Sequence, residues 1–309
     1  MATAKHTACF RRLTRPLDRV NVGGQEVVIM SMDAISALEE IPDGMPGKPC
    51  WVELATPDPR TASEFYAGLF GWAFRVGEDG YVMAYVDDVP VAGLHVPLGE
   101  QPNRWTLYLS VGDTANTAER VVQLGGAVLS EPTEVPGQGG LLVAADPSGA
   151  AIGFWRRDRD LRLGTGFPGA FTWAELNTWD GAAADAFYSA LFDYEVVQMG
   201  DGQAFDYTSW VVRGEEVLGR LRMGSEFPPE QEPHWMVFFE VDPLSGTDRV
   251  ASRAQQLGGR VVVPPFDSPF GRAAVLADTT GAEFTVLDRT DALPVVVEDE
   301  IGAPVDYDD

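Results

Sequence analysis

The chain has 309 residues and a formal net charge of −25. Such an acidic composition argues against a nucleic-acid partner, because phosphate binding requires a stripe of Lys and Arg. The two cysteines are too few for a disulfide-built extracellular module, and no apolar run is long enough to cross a bilayer. We therefore expect a soluble cytoplasmic protein of two domains, each with its own core.

Residues 1–29 are basic and lack hydrophobic periodicity, unlike the sequence that follows them. A ribosome-binding sequence can be encoded at Gln25–Val27, a short distance before Met30. This pattern predicts that Met30 or Met32 is the true start and that residues 1–29 are a doubtful leader. Residues 30–47 are then a linker.

The first patterned segment, residues 50–56, alternates with the period of a β-strand. Asp58 then fits the N-cap of a helix, Pro59 fits its first position, and apolar residues follow at helical spacing as far as Gly71. The segment after Gly71 contains three short predicted strands, at residues 72–76, 81–86 and 91–96. Together these elements form a βαβββ unit.

A second unit of the same kind follows. A strand at residues 105–111 precedes a helix that is capped near Asp113 and ends at Gly125. The strands that close the unit include residues 140–145 and 151–155.

An internal repeat covers most of the chain. The segment Cys50–Asp58 returns as Thr172–Asp180, at an offset of 122. Further on, Leu124–Gly126 returns as Leu257–Gly259 at an offset of 133. The second copy therefore carries about eleven additional residues, as a loop insertion would. The predicted layout is two homologous domains and an acidic tail, at residues 48–158, 168–290 and 291–309.

The motifs Trp51–Leu54, Phe65–Trp72 and Asp146–Gly149 resemble those of the vicinal oxygen chelate superfamily, which includes glyoxalases, bleomycin-resistance proteins and extradiol dioxygenases. The resemblance implies an α+β fold of two tandem glyoxalase-like domains, each built from two βαβββ units that form a cup-shaped sheet. It also implies a ligand in the cup. Because members of this superfamily range from enzymes to drug-binding proteins, the fold alone does not select a function.

The resemblance also implies where metal ligands stand in the chelating members. In the first domain these positions hold Trp51, Gly93, Thr106 and Gly153. In the second domain they hold Trp173, Gly219, Met236 and Thr285. Neither set offers the imidazole and carboxylate groups that bind divalent metals, so we predict no metal and no other cofactor.

Polar residues on the same strand faces are the candidate catalytic groups. In the first domain they are Glu53, His95 and Tyr108, which can supply general acid and base chemistry. The counterparts in the second domain are Glu175, Leu221 and Phe238, and Glu283 shares a strand face with Thr285. The alternative interpretation is that Glu53 and Glu175 are structural and accept hydrogen bonds inside the cups.

Tryptophans that begin strands are candidate stacking surfaces for a planar ligand, although ordinary core packing is an open alternative. The candidate ligand-binding residues are Trp51, Trp105, Thr106, Trp173, Glu175, Trp235, Met236 and Phe238.

Three functions remain open. The first is binding of an aromatic or cationic small molecule in the cups without a metal. The second is a metal-independent lyase, isomerase or cyclase that uses Glu53, His95 or Tyr108 for proton transfer. The third is a metal-dependent glyoxalase or dioxygenase with displaced ligands. The expected partner is a small-molecule ligand, with no nucleic acid and no membrane, and the chain is expected to be a monomer with an internal pseudo-dimer or a homodimer.

Overall fold

A computed structural model of the chain describes residues 18–22, 25–29, 45–97, 99, 101–158, 162–203 and 205–290. It divides into two compact units, Met1–Pro42 and Asp43–Asp309. The described part of the first unit is an antiparallel pair of strands, β1 (Asp18–Val22) and β2 (Gln25–Ile29). The remainder of the predicted leader, most of the linker and the acidic tail lie outside the described residues.

The first half of the larger unit contains the two predicted βαβββ units. The first comprises β3 (Pro49–Ala55), α1 (Pro59–Phe70), β4 (Ala73–Val76), β5 (Val82–Val86) and β6 (Val89–His95). The second comprises β7 (Arg104–Ser110), α2 (Thr114–Gln123), β8 (Ala127–Val135), β9 (Gly139–Ala145) and β10 (Ala151–Arg157).

The second half repeats this order. Its first unit comprises β11 (Phe171–Thr178), α3 (Gly181–Phe192), β12 (Glu195–Met199), β13 (Tyr207–Val212) and β14 (Glu215–Arg222). Its second unit comprises β15 (His234–Glu240), α4 (Thr247–Gln256), β16 (Arg260–Ser268), β17 (Gly271–Ala277) and β18 (Glu283–Asp288).

Each half forms one eight-stranded sheet. The first sheet has the order β4-β5-β6-β3-β7-β10-β9-β8, and the second has β12-β13-β14-β11-β15-β18-β17-β16. The two units of a half join through an antiparallel pair, β3 with β7 and β11 with β15. The first strand of each unit pairs in parallel with its last strand. The predicted α+β class and its βαβββ order are confirmed.

Local sequence explains where α1 begins and ends. The Asp58 carboxylate accepts a hydrogen bond from the Thr61 amide at 3.0 Å, which satisfies a free N–H of the first turn. Gly71 ends the helix in the left-handed conformation, with φ of 74°. The helix therefore begins and ends where the sequence predicts.

The two halves share one hydrophobic core, which corrects the expectation of a separate core for each domain. A single cluster of buried side chains includes Phe65 and Trp105 from the first half and Phe239 and Phe284 from the second. The rings of Trp105 and Phe239 have centroids 5.1 Å apart, and those of Phe65 and Phe284 are 6.3 Å apart. The apolar faces that each half cannot cover alone are buried against the other half.

Two matched hydrogen-bond chains also cross between the halves. Trp105 Nε1 donates to the Tyr66 hydroxyl at 3.0 Å, and this hydroxyl donates to Asp278 Oδ2 at 3.2 Å. The mirror-image chain runs from Trp235 to Tyr188 to Asp146, with both distances 3.2 Å. The repeated Tyr and Asp motifs therefore have a structural role at the contact between the halves.

The additional residues of the second half are distributed over three loops. The offset between equivalent residues is 122 at Trp51/Trp173 and 126 at Gly93/Gly219. It is 130 at Trp105/Trp235 and 133 at Leu124/Leu257. Each step falls in a connection between elements, so the sheet register is preserved in both halves.

Candidate functional site

Strand alternation gives each sheet two faces with different roles. We name the face that carries Trp51, Glu53 and Tyr108 the first cup, and the face that carries Trp173, Glu175 and Phe238 the second cup. The opposite faces pack into the shared core.

Trp105 and Trp235, which the sequence analysis placed in the cups, lie instead on the core faces. Trp105 is the strand partner of Leu54, and Trp235 is the partner of Leu176. Both indoles are buried and donate to core tyrosines. The reason is the two-residue strand period, which sends Trp105 to one face and its neighbour Thr106 to the other.

The residues at the family's metal positions do not fit a metal in the first cup. Strand register places Gly93 and Thr106 on either side of Glu53, and Gly153 beside Tyr108. A Cβ at Gly93 would lie 1.7 Å from the hydroxyl of Tyr81, and one at Gly153 would lie 2.3 Å from the Tyr108 ring. Tyrosine side chains therefore fill the space in which ligand side chains would stand.

The second cup repeats this arrangement at its own metal positions. A Cβ at Gly219 would lie 2.0 Å from the Tyr207 hydroxyl. Met236 and Thr285, at two further positions, offer a thioether and a hydroxyl in place of imidazole and carboxylate. Across the described parts of the chain, no group of three or more His, Cys, Asp and Glu side chains is arranged to hold a metal ion.

The three candidate catalytic residues of the first cup meet at Glu53. Its Oε1 accepts a hydrogen bond from the Tyr108 hydroxyl and lies 3.4 Å from His95 Nε2. Its Oε2 accepts a hydrogen bond from the Tyr81 hydroxyl at 3.1 Å, and this hydroxyl in turn accepts one from Trp51 Nε1 at 2.9 Å. Three polar groups thus surround one carboxylate, as the structural interpretation of Glu53 requires.

The His95 ring faces an acceptor at each nitrogen. Nδ1 lies 3.0 Å from the Val96 carbonyl oxygen and Nε2 faces Glu53. Burial lowers the pKa of His95, but the nearby Glu53 carboxylate, together with the Val96 carbonyl, outweighs burial, so the net pKa is raised. His95 Nε2 makes no hydrogen bond of acceptable geometry, so Glu53 acts on the ring by its charge at 3.4 Å.

A cavity of about 520 Å³ opens beside this cluster. Its apolar walls are Trp51, Tyr81, Met83, Tyr85 and Trp155. Gly77, Glu78, Asp79 and Gln138 complete the lining. Glu53, His95 and Tyr108 are not part of this lining, and Tyr81 is the residue that both lines the cavity and contacts Glu53.

A second depression, of about 420 Å³, lies beside Trp179 and Phe227. Its other lining residues are Gly224, Ser225 and Pro229, so no charged side chain contributes to it. The cavity of the first cup is therefore the stronger candidate site.

The second cup holds its carboxylate differently. Glu175 is the strand partner of Met236, and the indole of Trp173 donates to the Tyr207 hydroxyl at 2.9 Å. Burial raises the pKa of Glu175 to about 7, and a hydrogen bond from Tyr207 offsets only part of this shift. Phe238, the equivalent of Tyr108, packs in an apolar cluster with Met236 and provides no donor.

Sequence reasoning missed Tyr81, Met83, Tyr85 and Trp155. Three of them lie in or directly before β5, which is further from the sheet centre than β6: Tyr81, Met83 and Tyr85. No family motif falls on this strand. The repeat contained a signal for Tyr81, because Tyr207 stands at the equivalent place in the second half and makes the equivalent contact with a strand tryptophan.

No helix among the described residues is long and apolar enough to span a membrane.

Comparison with known proteins assigns the family. The model of the glyoxalase-like domain matches residues 51–154 and again 173–287. The chain is 35% identical over 273 residues to the anthracycline biosynthesis protein DauV of a Streptomyces species, covering 82% of this chain and 97% of the relative. It is 33% identical over 252 residues to the putative glyoxylase CFP32 of Mycobacterium bovis, covering 78% and 94%.

A solved structure supports the same fold. The 2,3-dioxygenase LapB of a Pseudomonas species superimposes with a TM-score of 0.57 at 13% identity, covering 79% of this chain and 93% of that protein. At this identity the similarity shows the fold alone. The chain therefore belongs to the glyoxalase-like family of the vicinal oxygen chelate superfamily and contains two tandem copies of its domain.

Proposed function

We propose that the chain is a metal-independent binding protein for a planar aromatic small molecule, which it holds in the first cup. The observation that carries this proposal is the cavity lining. Trp51, Tyr81, Tyr85 and Trp155 present aromatic rings to one space of about 520 Å³. Flat rings of this kind stack on planar ligands, and a space of this size accommodates a drug-sized molecule.

The charged residues at the cavity favour one class of ligand. Glu78 and Asp79 belong to the lining, while no Lys or Arg does. A ligand that carries a positive group beside its aromatic system is therefore favoured. The similarity to DauV, which is named as an anthracycline biosynthesis protein, supports an aromatic ligand for this chain.

The position and the partners of Glu53 favour binding over catalysis. A catalytic base must reach the substrate, whereas Glu53 lies outside the cavity lining and already faces Tyr81, Tyr108 and His95.

The binding proposal is tested by titrating the protein with an anthraquinone probe and following tryptophan fluorescence. Trp155→Ala removes one wall, so we expect the Kd to rise at least about tenfold. The matched control is Trp179→Ala, which removes a partly exposed indole that does not line this cavity and is expected to leave the Kd unchanged. Equal affinities of wild type and Trp155→Ala would refute the proposal.

A second candidate function is metal-independent proton transfer by a lyase, isomerase or cyclase. The specific observation is that Tyr81 lines the cavity and donates its hydroxyl proton to Glu53 at 3.1 Å. In such an enzyme Tyr81 would contact the substrate, and Glu53 would position its hydroxyl group. Glu53→Gln is then expected to reduce turnover by about 10²-fold or more while binding of a neutral ligand changes little.

Elemental analysis of the purified protein tests the third function, that of a metal-dependent glyoxalase or dioxygenase. A near-stoichiometric transition metal that survives dialysis would contradict both proposals above, because the residues at the family's ligand positions offer no suitable donor set.

A further inference from the structure

Glu175 in the second cup lacks the partners that its counterpart Glu53 has. Phe238 replaces Tyr108 and Leu221 replaces His95, so two of the three groups that face Glu53 have no equivalent. Within the described residues no Lys, Arg or His forms an ion pair with Glu175. A carboxylate in such surroundings costs free energy when it is ionised, unless a ligand supplies the missing positive charge.

Aromatic side chains lie on the same sheet face as this carboxylate, and one of them, Tyr207, donates a hydrogen bond to it. Trp173 and Tyr207 are joined by a hydrogen bond of 2.9 Å, and the rings of Tyr207 and Phe270 have centroids 4.9 Å apart. Phe238 and Met236 pack with Trp173 and Phe270 in one apolar cluster. Several ring faces close to one carboxylate form the environment that recognises organic ammonium ions.

Phe270 covers the second cup at the place where the first cup is open. It occupies the hairpin position of Gln138, which lines the cavity of the first cup. Phe205 replaces Asp79 in the same way and stacks on Tyr207, with centroids 6.0 Å apart. Phe270 packs against this apolar cluster from a partly exposed position.

We propose that the second cup is a separate binding site for a small organic ammonium ion, with Glu175 as the counter-charge and Phe270 as a movable cover. Tyr207, Trp173 and Phe238 contact the cation by their ring faces. This site is independent of the aromatic ligand proposed for the first cup, because none of its residues lines that cavity.

The test uses choline and its uncharged isostere 3,3-dimethylbutan-1-ol with the full-length protein. Titrations are performed at pH 8, where Glu175 is ionised because its pKa is about 7. Choline is expected to bind and quench tryptophan fluorescence, whereas the neutral alcohol is expected to bind at least about tenfold more weakly. Equal binding of the two compounds would overturn the proposal.

Glu175→Gln identifies the counter-charge. The variant preserves shape, and we expect its Kd for choline to rise at least about tenfold. The matched control is Glu230→Gln, an exposed carboxylate of the same half on the loop before β15, which is expected to bind as wild type does. An unchanged Kd in Glu175→Gln would overturn the proposal, and so would loss of choline binding in Trp155→Ala, which alters only the first cup.

Phe270→Gln tests whether Phe270 covers the second cup. The substitution introduces the residue type that Gln138 provides at the equivalent position of the first cup. The Kd for choline is expected to fall, because the ring no longer has to leave Tyr207 before the ligand enters. Phe266→Gln is the control, since Phe266 is an exposed phenylalanine of the same hairpin. An unchanged or higher Kd in Phe270→Gln would contradict the role of Phe270 as a cover.

Discussion

Glu53 and Glu175 occupy equivalent strand positions, but their neighbours give them different properties. Glu53 faces two hydroxyl groups and an imidazole, so its charge is compensated within the protein. Glu175 has an apolar strand partner, Met236, and one hydroxyl donor, Tyr207. The difference arises from two substitutions between the halves, at the positions of His95 and Tyr108.

The raised pKa of Glu175 predicts a pH-dependent stability. Burial shifts this pKa from 4.5 to about 7, so the folded chain binds the proton more tightly than the unfolded chain does. The associated stability is complete below pH 4.5 and is lost as the pH rises through 7. Glu175→Gln, which stays neutral, is expected to raise the free energy of unfolding by about 1–3 kcal/mol at pH 8 relative to wild type.

Urea titrations at pH 4 and pH 8 measure this effect. At pH 4 both proteins carry a neutral side chain at position 175, so their stabilities are expected to be nearly equal. Glu230→Gln serves as the control for loss of one exposed carboxylate. If Glu175→Gln and wild type differ by the same amount at both pH values, Glu175 is not the titrating group.

At the residue scale, the sequence predicted which polar groups meet but not where the cavity opens. Glu53, His95 and Tyr108 were predictable because strand alternation places them on one face. The role of Trp155 as a cavity wall was not predictable. The position of the cavity within the cup depends on the sizes of the neighbouring side chains, which belong to several strands. Tyr81 fills the room above Gly93, and this contact joins residues on different strands.

At the scale of elements, the close contact between β6 and the tyrosine before β5 controls the shape of the cup. Gly93 lies where any side chain would collide with the Tyr81 hydroxyl, and Gly219 has the same relation to Tyr207. The absence of a Cβ, rather than an unusual backbone angle, is what these two positions require.

Gly93→Ala is therefore expected to displace Tyr81 from Glu53. We predict a loss of about 1–3 kcal/mol in the free energy of unfolding and a weaker affinity for the anthraquinone probe. Gly112→Ala is the matched control, because a Cβ at Gly112 has no neighbour within 4 Å. A Gly93→Ala protein with wild-type stability and affinity would show that Tyr81 has another low-energy position.

Element boundaries were largely predictable because the signals are local. Asp58 and Asp113 both accept hydrogen bonds from backbone amides at helix starts, as their positions before the apolar runs indicate. The loop insertions were harder to place. The sequence gives only the total offset between distant repeats, whereas three separate connections share the additional residues.

At the scale of the whole molecule, the shared core and the crossed hydrogen-bond chains make the halves depend on each other. Tyr66 contacts Asp278 and Tyr188 contacts Asp146, each across the boundary. We propose that these contacts replace those between two subunits, so that the chain is a self-sufficient monomer with an internal pseudo-dimer.

This proposal predicts how separated halves behave. A chain of residues 45–162 exposes the rings that Phe239 and Phe284 cover in the intact protein. We expect it to be aggregated or unfolded alone and to fold when mixed with residues 163–290. Circular dichroism and native mass spectrometry measure this, and a well-folded isolated half with the stability of the intact chain would contradict it.

The contacts between the halves constrain the core faces of the two sheets but not their cup faces. The Tyr, the Asp and several buried rings of each half contact the other half, so packing between the halves constrains these residues. Residues on the two cup faces are free of this packing constraint, because these faces lie on the sides of the sheets that do not contact each other. A duplicated domain held in place for packing can therefore acquire a different ligand chemistry in each cup while the scaffold stays unchanged.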